Sequence, residues 1–146
     1  MSDEVNIRSS LQIKKTSGGI TLLDYNSRPT SFTGDLTGTK GPTPGAFAVS
    51  VTGTDVDLSE LTTPGYCRFA NQDDENFVEY GIYDPETEKF YPLGEILAGE
   101  SYVLRLSRNL AWEYGTGTGT SGPETNTLRF RANTAVVSIL VEAFEA

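Results

Sequence analysis

Five carboxylates crowd the span Thr62–Asp84, "TTPGYCRFANQDDENFVEYGIYD", three of them consecutive at Asp73, Asp74 and Glu75. Two kinds of chemistry use such a cluster: cation binding through oxygen ligands, and acid–base work by a carboxylate pair. Neither pattern is met. A calcium loop alternates its oxygen ligands and bends at a Gly; "NQDDENFVE" does neither. A glycosidase sets two carboxylates across a cleft, whereas neighbours on a strand point to opposite faces. Asn and Asp do bond to their own backbone in tight turns. The stretch Asn71–Asn76 therefore reads as a polar hairpin turn between two strands, with no metal site and no catalytic residues.

The remaining reactive types point the same way. The chain has no His, which removes Ser–His and Cys–His catalysis and His-ligated metals. Cys67 is the lone cysteine and sits in an apolar alternating run, so a small buried hydrophobe is expected rather than a reactive thiol. The run "YGTGTGTSGPETN" lacks the Lys and the Gly spacing of a phosphate-binding loop, and no cofactor motif occurs elsewhere. Alternating Gly and Thr bury no apolar surface, so a long exposed loop is expected near 114–126, ordered on contact with a neighbouring subunit. Trp112 and Tyr114, with Thr116, Thr118 and Thr120, are the candidate contacts to a partner or a glycan.

A chain of 146 residues fits one domain, 1–146, with room for a real core. Its net charge is −9, from 20 acidic and 11 basic residues. That balance opposes binding to nucleic acid or to an anionic membrane, and suits solubility or a basic protein partner. "MSDEVNIRSS" does not read as a secretory signal, and no apolar run reaches the roughly 18 residues of a membrane helix. Synthesis in a cytoplasm is the expectation.

Positioning falls to strands. Helical periodicity is nearly absent, and Gly and Pro recur too often for helices longer than a turn or two. In "NIRSSLQIKK", Ile7, Leu11 and Ile13 share one face opposite Arg8, Ser10, Gln12 and Lys14, and a hairpin-like turn follows at Ser17–Gly18–Gly19. Residues 26–45, rich in Ser, Thr, Gly and Pro, read as a long loop anchored by Phe32 and Leu36. Phe47, Val49 and Val51 alternate inward, and Val56, Leu58 and Leu61 mark a short extended piece. Phe69, Leu104, Leu106, Phe130 and Ile139 complete the expected core. The closing strand, about 136–144, is apolar on both faces and should be central in its sheet. Eight to ten short strands at this spacing predict an all-β fold, an antiparallel, jelly-roll-like β-sandwich.

Within Thr62–Leu106 the order is Pro64–Gly65, an aromatic strand, Asn71 with Asp73, Asn76–Phe77–Val78, Gly81, a strand at Phe90, Gly99–Glu100 and Arg105–Leu106. This run resembles a segment of small all-β structural proteins in the virions of tailed bacteriophages. Gln72 and Ala98 depart from the pattern, where an apolar residue and a Pro are usual. The resemblance implies a non-enzymatic virion component without cofactors, located on the capsid surface and assembled in the host cytoplasm. It implies a capsid decoration (cement) protein that bridges capsid subunits, with the major capsid protein or another virion protein as partner. A homo-oligomer, dimer or trimer, fits that role. A tail, neck or head-fibre component, or a host-glycan-binding module, are the alternatives.

Overall fold

The computed structural model describes residues 4–108, 110 and 127–145. Among them every regular element is a β-strand and every pairing is antiparallel. The chain divides into two compact units, Met1–Leu36 and Thr37–Ala146.

The first unit is a two-stranded ribbon built from β1 (Val5–Ser9), β2 (Gln12–Ser17), β3 (Ile20–Asn26) and β4 (Thr30–Gly34). β2 pairs with β3 around Gly18 and Gly19, whose φ values of 57° and 79° are the left-handed pair that a two-residue hairpin requires. β1 pairs with β4 farther along the same hairpin. Between the two ladders Ser27 N–H donates to the Leu11 carbonyl at 2.8 Å, and Leu11 N–H donates to Ser27 Oγ at 2.7 Å. Residues 26–45, expected to be a loop, thus contain β4 and run into the next strand.

Among its described residues the second unit holds eight strands: β5 (Thr43–Val49), β6 (Thr54–Asp55), β7 (Pro64–Asn71), β8 (Val78–Asp84), β9 (Lys89–Ile96), β10 (Ser101–Arg105), β11 (Thr127–Ala132) and β12 (Val137–Glu145). One sheet has the order β10-β7-β12-β5, the other β6-β11-β8-β9. The pairs β5·β12, β6·β11, β7·β10 and β8·β9 match first strand with eighth, second with seventh, third with sixth and fourth with fifth. That is one long antiparallel hairpin rolled into two sheets, the jelly-roll arrangement.

The core lies between the sheets. Val137, Ile139, Val141 and Ala143 alternate inward along β12, which is flanked by β5 and β7 and so is central, as its composition suggested. Phe69 on β7 meets Phe130 on β11 edge-on, with ring centroids 5.0 Å apart, and Tyr80 and Phe47 close around them. Such aromatic packing adds a geometric preference to the burial of apolar area. Val51, expected inward, is 44% exposed. β5 ends at Val49, and Ser50 turns the chain away by donating its N–H to Thr54 Oγ1 at 3.0 Å. Leu58 and Leu61 are buried as expected, but from a turn rather than a strand.

Candidate functional site

The acidic cluster is a structural knot. β7 and β8, which it joins, lie in different sheets, so Asn71–Asn76 is an arch across the sandwich and not the hairpin expected. A hairpin and an arch have the same local pattern; only the partners chosen by the flanking strands separate them. Asn71 is 4% exposed, and its side chain makes three hydrogen bonds. Its Nδ2 donates to the carbonyls of Asn76 at 2.9 Å and Ile96 at 3.0 Å, and its Oδ1 accepts from Asp73 N–H at 2.9 Å. Asp73 Oδ1 in turn accepts the N–H groups of Asn76 at 2.7 Å and Glu75 at 2.8 Å. These backbone donors, Asn76 first, hold the Asp73 carboxyl below its ordinary value.

A second arch, Leu97–Glu100, joins β9 to β10 and is stitched to the first. Asn71 N–H donates to the Glu100 carbonyl at 2.9 Å. Glu100 Oε2 accepts from Leu97 N–H at 2.9 Å and from the Tyr102 hydroxyl at 2.8 Å, which raises the pKa of that tyrosine. The structure therefore joins Glu100, distant in sequence, to Asn71, Asp73 and Asn76 in one network. Its oxygens accept from backbone N–H groups and from the Tyr102 and Thr134 hydroxyls. No group of three or more His, Cys, Asp or Glu side chains among the described residues is arranged to hold a metal ion.

Two arginines on the outer face of the second sheet are also absorbed structurally. Arg129 pairs with Asp55 at 2.5 Å and lies 3.3 Å over the Tyr83 ring. Arg131 pairs with Glu79 at 2.8 Å and lies over Phe90. Each cation has both a carboxylate and an aromatic ring as partners. Cys67 is buried, and that burial, with Glu142 adding to it, pushes its thiol up to about 12. A thiolate nucleophile is not formed there near neutral pH.

The ribbon is different. Ile13 pairs with Tyr25 and Lys15 with Leu23, which places these side chains on one face, and Ile7 pairs with Phe32 on the neighbouring ladder. The reverse face carries the pairs Gln12–Asn26 and Lys14–Asp24. Leu11, Ile13, Leu23, Tyr25 and Phe32 are between 41% and 54% exposed, and Ile20 and Leu22 near the turn more so. Half of the fourteen exposed large apolar side chains among the described residues fall in this short unit. A two-stranded hairpin is marginal on its own, so an exposed apolar face of this kind marks an interaction surface. The alternation was legible in the sequence; the exposure of these side chains was not.

Trp112, Tyr114, Thr116, Thr118 and Thr120 lie outside the described residues. No protein-family model, no curated protein and no solved structure matches the chain. No helix is long and apolar enough to cross a membrane among the described residues.

Proposed function

We propose that the protein is a non-enzymatic structural component of a tailed-bacteriophage virion, a capsid decoration (cement) protein on the shell's outer surface. The observation that carries this reading is the ribbon, a two-stranded element that exposes an apolar face suited to another protein surface, while in the sandwich the polar groups of Asn71 and Asp73 are spent on backbone partners. The resemblance of Pro64–Leu106 to phage structural proteins supplies the setting. The mechanism is burial of surface across neighbouring capsid subunits, repeated by symmetry, so that no shell subunit leaves without breaking several contacts at once. The sandwich unit carries all of the −9 charge, since the acids and bases of residues 1–36 cancel. Basic patches on the shell, the major capsid protein above all, suit it as partners, and attachment weakens as salt rises.

The test compares particles with and without the protein under heating and osmotic shock, with its position mapped by electron cryomicroscopy. Decorated particles are expected to rupture later, with density on the shell. Equal rupture with density on the tail, neck or fibre overturns the cement reading. Binding of the purified protein to host polysaccharide, lost in Trp112→Ala, replaces it with the glycan-binding one.

A further inference from the structure

The ribbon's apolar face has a complement on the sandwich. Among the described residues β9 is an edge strand of its sheet, and it exposes Tyr91 at 51% and Leu93 at 71%. Pro92 gives this edge one backbone position without an N–H, and the pairing with β8 shifts register beside it. Both features discourage the addition of another strand, so what docks here does so through side chains.

Charge identifies the occupant. Residues 84–95 carry Asp84, Glu86, Glu88 and Glu95 against Lys89, a net −3. Asp84 is engaged by Glu86 N–H and the Thr87 hydroxyl, while Glu86, Glu88 and Glu95 enter no ion pair among the described residues. The ribbon segment 12–28 carries Lys14, Lys15 and Arg28 against Asp24, a net +2. Lys14 and Asp24 oppose each other across the ladder, which leaves Lys15, beside Leu23 on the apolar face, and Arg28 unmatched. One chain thus holds an apolar surface edged by positive charge and an apolar edge framed by negative charge.

We propose that the apolar face of the ribbon, Leu11, Ile13, Leu23 and Tyr25, docks on the β9 edge of a second copy of this chain, with Lys15 and Arg28 meeting Glu86 and Glu88. This rests on reading the ribbon as an assembly element and names its partner. Each copy offers one ribbon and one edge, so the exchange closes as a symmetric dimer or a small ring. The oligomer, rather than the single chain, then engages the shell.

The experiment is charge reversal with reciprocal rescue, read as mass by sedimentation of the full chain. The wild type is expected to exceed a single chain's mass at micromolar concentration and to dissociate as salt rises. Lys15→Glu with Arg28→Glu, and separately Glu86→Lys with Glu88→Lys, should each give monomer, weakening association by about tenfold or more. Mixing the two variants should restore the oligomer, because reversed ribbon then meets reversed edge. A monomeric wild type, or an oligomer indifferent to both reversals, overturns the proposal. If a monomeric wild type still decorates and stabilises particles, the cement reading stands and the second copy is ruled out. If the rescued oligomer forms but binds no particle, the proposal stands and the cement reading falls.

Discussion

Replacing Asn71 with Ala removes three hydrogen bonds at the junction of two arches and leaves their partners behind. The Ile96 carbonyl loses a buried donor, and the Asn76 carbonyl and Asp73 N–H lose part-buried partners. A buried polar group left unsatisfied costs about 1–3 kcal/mol. Water reaches the Asn76 and Asp73 sites more readily than Ile96, so most of the loss comes from the last. Together the three predict a destabilisation of about 2–4 kcal/mol, within the range for breaking a buried network. Urea denaturation followed by far-ultraviolet circular dichroism of the strands measures it, as a lowered midpoint at unchanged slope. Asn71→Asp is the paired control. It keeps an oxygen facing Asp73 N–H but cannot donate to either carbonyl while ionised, so it should be no more stable than the Ala variant at neutral pH. A loss below about 1 kcal/mol for Asn71→Ala would show that the arches do not depend on this side chain.

Other outcomes follow from the same contacts. Phe69→Ala, at a fully buried site against Phe130 and Tyr80, should cost about 3–5 kcal/mol in the same assay; a cost near zero would mean the inter-sheet register is wrong. Cys67 should resist thiol reagents at pH 8 in the folded protein and react on unfolding, and rapid native labelling would contradict its burial. Asp73 is held below its ordinary value in the folded state, so its contribution to stability is complete above the unfolded-state value of about 3.9 and disappears as pH falls through the lower folded value. Asp73→Ser should therefore flatten the acid limb of the stability profile, and an unchanged limb would refute the link.

Much of the sandwich was legible because most of its strands carry period-two alternation that burial then obeys, with Phe47 and Val49 toward the core on β5 and Phe130 on β11, while β12, apolar on both faces, was legible as a central strand. The Gly18–Gly19 hairpin was legible too, since its chemistry is local. Val51 failed because the alternating pattern runs past the point where Ser50 begins a turn. The knot around Asn71 left a faint signal, Asn71, Asp73 and Asn76 at turn spacing. Nothing local, however, announced that the Ile96 carbonyl, in a strand far along the chain, would be its second acceptor.

By itself the sequence determined the class of element, the faces of the strands, the absence of His-based chemistry and the separation of an apolar from a polar face on the ribbon. These follow from side-chain period, turn chemistry and residue types, which are properties of neighbours along the chain. Only the tertiary structure decided that β7 and β8 part into different sheets and that the acidic cluster is an arch. Those outcomes depend on which distant strands pair: β7 takes β12 and β10, and β8 takes β11 and β9. The free energy of such pairing arises between segments tens of residues apart, and one alternating pattern serves a hairpin, an arch or a docking surface equally well.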